Sequence, residues 1–122
     1  MGAFEALADP IRRRIAELLA DGELAAGGLG QVVQREFGIS QPGASQHLRV
    51  LRDNEVVLVR SEGARRIYAL NPNALAEIDQ WLDQFRRTWE QPLDALETEL
   101  ARGRRQGRRT QGGRPAAGSR SA

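Results

Sequence analysis

Apolar positions at helical spacing dominate the chain. Ile11, Ile15, Leu18 and Leu19 share one face, preceded by Asp9, a good helix cap, and Pro10, suited to a first helical position. Gly22 ends that helix, and Phe4 and Leu7 upstream indicate a short preceding turn. Leu29, Val32, Val33 and Phe37 mark a second helix. Its start is placed near Leu29, because Gly27, Gly28 and Gly30 each cost roughly 1 kcal/mol in a helix interior. Gly38 closes it, and Ser40 caps a third helix in which Ala44, Leu48 and Leu51 form a narrow apolar stripe.

The pattern then changes period. Val56–Arg60 and Arg66–Leu70 read as two short strands joined through Ser61-Glu62-Gly63-Ala64-Arg65. After Asn71-Pro72-Asn73 comes a long helical stretch in which Leu75, Ile78, Leu82, Phe85, Trp89, Leu93, Leu96 and Leu100 recur three or four residues apart. Pro92 removes a backbone donor there, so a kink or break is expected near Gln91. The order is helix, helix, helix, hairpin, long helix. It predicts a mostly α chain with a small β-hairpin: a winged helix-turn-helix with a long C-terminal dimerisation helix.

Charge refines this picture. All 18 basic residues are Arg, and seven of them lie beyond Leu100 in a Gly/Arg/Ser-rich segment without acids. Residues 1–100 carry 11 Arg against 16 Asp and Glu, a formal charge of −5. The domain is therefore expected at 1–101, with a disordered Arg/Gly-rich tail at 102–122. The tail is either a solubilising end or a nonspecific phosphate-binding arm. A nucleic-acid surface on the acidic folded part must come from local clustering of Arg, with carboxylates held elsewhere. No apolar run approaches the roughly 18 residues of a membrane span, no signal-peptide pattern opens the sequence, and cysteine is absent. These features fit a cytoplasmic protein without disulfides.

The third helix carries candidate chemistry. Ser40, Gln41, Pro42, Ser45, Gln46, His47 and Arg49 stand on a surface without a single acid. Reading bases in a major groove needs such donors and acceptors: Gln towards adenine, Arg towards guanine, Ser towards either. A polar helix face is usually only solvated. Beside it, however, Arg60, Arg65 and Arg66 cluster on the hairpin with only Glu62 opposed, as a wing resting on a DNA backbone or minor groove would require. Phe4, Leu7, Leu75, Ile78, Leu82, Phe85 and Trp89 make a stripe longer than a three-helix core covers, and are the candidate seam of a homodimer.

The segments Phe4–Arg13 (FEALADPIRR), Gly38–Pro42 (GISQP), Ser45–Leu51 (SQHLRVL) and Glu62–Leu70 (EGARRIYAL) resemble ArsR-type winged-helix repressors over about residues 3 to 100. The resemblance implies a homodimer joined through its first and last helices. It also implies a third helix in the major groove of double-stranded operator DNA, and repression of the protein's own operon. The sequence departs from the family pattern at Gly43, usually Ala, and at Glu55, usually Gly. Glu55 puts a Cβ where a left-handed conformation is often needed, with Asn54 as the alternative bearer. The connection from Gly22 to Gly38 is also about one turn longer than in many members.

Many relatives sense metals through cysteines or His/Asp sites. Here Cys is absent and the only His, His47, belongs to the DNA-reading helix, where a DNA contact or a local hydrogen bond is its expected role. The last helix offers only scattered carboxylates such as Asp79 and Asp83, so neither metal nor cofactor is expected. No residue pattern names a small-molecule effector. Trp81, Phe85 and Trp89 read as core or seam before they read as a ligand box. No nucleophile motif or phosphate loop supports an enzyme. The competing reading is a winged helix used as a protein-interaction module. Operator affinity is accordingly expected to be the same with chelator or with added zinc. A reproducible tenfold change in a binding titration, about 1.4 kcal/mol of coupling, overturns this.

Overall fold

The computed structural model describes residues 2–105, without the side chains of 91–95, 104 and 105. The helices are α1 (Ala3–Ala6), α2 (Pro10–Leu18), α3 (Ala26–Phe37), α4 (Gln41–Asp53), α5 (Pro72–Asp83) and α6 (Arg86–Arg105). The strands are β1 (Leu24–Ala25), β2 (Val57–Glu62) and β3 (Arg65–Leu70). Two compact units divide between Trp81 and Leu82. The first is the mostly helical winged helix-turn-helix that the apolar pattern predicts.

Local chemistry sets most of the boundaries. The Asp9 carboxylate accepts from the N–H groups of Ile11 and Arg12 at 2.8 and 3.2 Å, and Pro10 opens α2. Partial burial pushes the Asp9 carboxyl up, but those two N–H groups outweigh it and hold it low. This cap is therefore at full strength above the usual carboxylate range and weakens as pH falls through it. Gly22, at φ 143°, stops the short 3₁₀ turn Leu19–Asp21 that extends α2. Ser40 caps α4 by accepting from Gly43 N–H at 3.1 Å.

Ile15, Leu29, Val33, Leu51 and Val56 are fully buried at the centre of the first unit. Ala44 and Leu48 complete the stripe by which α4 sits on this core. Arg14 and Glu36 join α2 to α3 through two hydrogen bonds of 2.9 and 3.1 Å.

Three expectations change. Helix α3 begins at Ala26, so Gly27 and Gly28 fall in its first turn, where the interior penalty does not apply in full. The chain ahead of it is held by an unforeseen strand, β1, which pairs antiparallel with β3 (Leu24 with Tyr68, Ala25 with Ile67) in a sheet ordered β1-β3-β2. The hairpin is tighter than expected: Glu62 pairs with Arg65 across the two residues Gly63 and Ala64, with Gly63 at φ 63°. Lastly, of the kink or break expected near Gln91, the break does not occur: α6 runs through Pro92 and on to Arg105. The interruption falls at Gln84–Phe85, where Phe85 N–H bonds Leu82 C=O and Thr88 N–H bonds Phe85 C=O, three-residue closures in place of the α-helical ladder. The rest of the expected tail, 106–122, lies outside the described residues.

Helix α4 ends in a Schellman turn. Val56 N–H returns to Leu51 C=O and Glu55 N–H to Arg52 C=O, each at 3.0 Å. Glu55 itself carries the left-handed conformation at φ 59°, while Asn54 stays at φ −99°. Asn71, only 8% exposed, donates its side-chain N–H to Glu55 C=O at 2.9 Å and so holds that turn in place. A left-handed residue with a Cβ costs roughly 1–2 kcal/mol. Glu55→Gly is therefore expected to stabilise the protein by about 1 kcal/mol, part of the gain being lost to unfolded-state entropy. Chemical denaturation checks this; an unchanged or lower midpoint refutes it.

Candidate nucleic-acid interface

The polar face of α4 is built from the inside out. Its Ala44, Leu48 and Leu51 are buried, which turns Gln41, Pro42, Gln46 and Arg49 outwards as exposed residues. Ser40 is exposed beside them and Ser45 is half-buried. Two hydrogen bonds organise this face: Gln41 Nε2 donates to Ser45 Oγ at 3.0 Å, and Arg49 Nη1 donates to Gln46 Oε1 at 3.1 Å.

These pairings change what each side chain offers. Gln46 has spent a lone pair of its only acceptor atom on Arg49, so the Gln46–Arg49 couple presents mainly N–H donors. A donor surface matches the N7 and O6 acceptors of guanine and opposes the amino groups of adenine and cytosine. Gln41 keeps its carbonyl oxygen and one N–H, the pair that adenine accepts. The first reading of Gln46 as an adenine contact is thus less apt than that of Gln41.

His47 stands apart from these four. It lies half-buried on the flank of α4, and its Nδ1 meets Arg12 Nη1 at 3.1 Å. The local hydrogen bond, one of its two expected roles, is present and engages only Nδ1.

The hairpin cations also divide. Arg60 hydrogen-bonds Glu23, beside β1, and Glu62 at 3.2 Å, so its charge is answered within the fold. Glu23 was not foreseen as its partner, because only the third strand brings the two segments together. Arg65 and Arg66 are exposed at the start of β3, and neither is within ion-pairing distance of a described carboxylate. Carboxylates gather instead at the far end of α4: Asp53, Glu55 and Glu77 line an open hollow of about 320 Å³ with Asn71 and Asn73. The end of α4 that starts at Ser40 is left without acids.

The candidate seam splits between the two units. In the first, Leu7 and Ile78 are half-buried against the core. Phe4 and Leu75 remain 41% and 45% exposed. Trp81, read from the sequence as core or seam, is 47% exposed and meets the Phe4 ring edge-on at 5.1 Å between centroids. In the second unit Phe85 lies in the turn between α5 and α6, Leu82 is half-buried, and Arg86 covers the Trp89 ring at 5.6 Å.

Comparison with known proteins agrees with this geometry. Residues 7–60 match a helix-turn-helix domain family. The HTH-type transcriptional regulator Rv2034 of Mycobacterium tuberculosis is 46% identical over 83 residues, covering 68% of this chain and 74% of the relative. The arsenical resistance operon repressor of Staphylococcus xylosus is 42% identical over 80 residues, covering 66% and 73%. The chain belongs to the ArsR family of winged-helix transcriptional regulators. Among solved structures, the homodimeric winged helix-turn-helix DNA-binding domain Mb0332 from Mycobacterium bovis aligns with a TM-score of 0.53 at 26% identity. It covers 72% of this chain and 78% of that one. An ArsR-family protein is a DNA-binding regulator and not an enzyme. None of the helices described is long and apolar enough to cross a membrane.

The division among hairpin cations is testable. Arg65→Gln and Arg66→Gln should each flatten the slope of log affinity against log salt by about 0.9 on any duplex, as expected for one lost phosphate contact. Arg60→Gln should change that slope little. Titrations at several salt concentrations decide; an effect of Arg60→Gln equal to the other two refutes the division.

Proposed function

We propose that this regulator is a homodimeric repressor of a two-part, roughly palindromic operator, including one controlling its own gene. Helix α4 lies in the major groove, with Gln41, Ser45, Gln46 and Arg49 reading bases and Ser40 and Pro42 placing the helix N-terminus at the backbone. Arg65 and Arg66 on the β2–β3 wing meet the flanking backbone or minor groove. The observation that carries this reading is the acid-free face from Gln41 to Arg52 on a helix whose opposite side is sealed into the core.

Dimerisation rests on the exposed aromatic pair Phe4 and Trp81 together with the exposed Leu75 of α5, apolar surface of a kind that monomers seldom display. It is supported by the homodimeric state of the M. bovis domain. In the second unit Leu82, Phe85 and Trp89 are further candidates for a dimer contact. A two-fold dimer reads two half-sites about one helical turn apart.

Footprinting on the DNA upstream of the protein's own gene tests the whole reading. The expected result is a protected two-part site, with a dimer in analytical ultracentrifugation at micromolar concentration. Arg49→Ala should cost roughly 1–3 kcal/mol and relax the preference at one base of each half-site. By the donor accounting above, that base is guanine, and 7-deazaguanine there should weaken the wild type but not Arg49→Ala. A monomer, or loss of a protein complex with DNA binding intact, favours the interaction-module reading.

A further inference from the structure

The two most characteristic stretches of this sequence, Ala6–Arg12 and Ser45–Leu48, meet at one side chain. Arg12 Nε donates to the Ala6 carbonyl at the end of α1 at 2.6 Å. Its Nη1 lies 3.1 Å from His47 Nδ1 on α4. Its own backbone N–H is taken by the Asp9 cap at 3.2 Å. One residue thus touches α1 and the DNA-reading helix through donors of a single rigid plane, and the cap of α2 through its backbone N–H.

The chemistry of this contact is one-sided. A guanidinium has only donors, so His47 Nδ1 must accept. The ring is then neutral at that atom and carries its proton on Nε2. Without Arg12, either nitrogen could hold the proton and the ring would have no fixed partner on α2. Arg12 also stabilises α1, a four-residue helix too short to stand alone, by satisfying its last carbonyl. Arg13 supports the same end by donating to the carbonyls of Leu7 and Ala8 at 3.0 and 3.1 Å.

We propose that Arg12 is a positioning residue for DNA reading and acts through His47. It fixes the ring as the Nε2–H form and so sets where α4 stands relative to α1. His47 precedes Arg49 by two residues and follows Gln46 directly, so any shift of α4 at this flank displaces the Gln46–Arg49 couple. The same link passes the position of α1, which bears Phe4, to the reading helix. The inference rests on α4 reading bases, as proposed above.

The test compares operator and scrambled DNA for the wild type, Arg12→Met, His47→Ala, His47→Asn and the double variant Arg12→Met/His47→Ala. It adds a long-range ¹⁵N–¹H spectrum of the wild-type imidazole at neutral pH. The spectrum should show a proton on Nε2 and none on Nδ1. Arg12→Met and His47→Ala should each reduce discrimination roughly tenfold, and the double variant no further, because the two residues form one contact. His47→Asn, which keeps an acceptor near the place of Nδ1, should retain discrimination within about twofold of wild type. A wild-type ring protonated on Nδ1 overturns the proposal, and this holds even if a variant fails to fold. So do additive losses, or a His47→Asn defect equal to that of His47→Ala. Absence of discrimination in the wild type itself instead sinks the base-reading assignment, and the positioning role with it.

Discussion

The arrangement of this regulator depends on one buried amide. Asn71 donates from its side chain to Glu55 C=O and from its backbone to Val56 C=O, while its side-chain oxygen accepts from Asn73 N–H. It thus ties the exit of α4, the approach to β2 and the start of α5 at a single point. A buried polar group left unmatched costs about 1–3 kcal/mol, so the three segments are held to the geometry that satisfies it. The left-handed Glu55 is tolerated because this frame over-determines it. The direction in which the β2–β3 hairpin leaves α4 follows from that turn.

Function sits on what this frame leaves outside. Helix α4 needs only Ala44, Leu48 and Leu51 to hold it, and most of its circumference is free for polar side chains. Those side chains are grouped before any DNA arrives: Gln41 with Ser45, Gln46 with Arg49, His47 with Arg12. Exposed pairs on a helix are each worth only roughly 0.2–0.5 kcal/mol. Their importance lies in the donors and acceptors they use up and in the rotamers they favour. An acidic domain acquires a surface for an anionic polymer by this sorting. Acids collect at the C-terminal end of α4 and around Arg60, and the N-terminal end of α4 keeps none.

Much of this was legible in the residues. Helices α2 and α4 carry their own caps, Asp9 and Ser40, and their apolar stripes repeat at helical spacing, so each could be placed without a neighbour. The hairpin announces itself by alternation around Gly63. The polar face of α4, the hairpin arginines and the family resemblance all belong to this local layer. Periodicity and capping act within a few residues, and a single sequence displays them directly.

What stayed hidden involves partners distant in sequence. Strand β1 is two residues long and exists because β3 offers a free edge more than 40 residues on, where Leu24 pairs with Tyr68 and Ala25 with Ile67. That pairing is also what lets α3 start among glycines. Arg60 looked like a wing cation until Glu23 was brought beside it, and the partner in His47's local hydrogen bond could not be named until Arg12 was. Pro92 promised a break that the fold put at Gln84–Phe85. For β1, Arg60 and His47 the local preference is worth about a kilocalorie or less, and a long-range hydrogen bond or ion pair of similar size decides between alternatives. The sequence alone determined which segments are helices, which face of α4 is polar and which family the chain resembles. Tertiary structure alone decided which polar groups are already engaged and which remain free to meet DNA, because partners 35 residues apart, such as Arg12 and His47, become neighbours only once the core has formed.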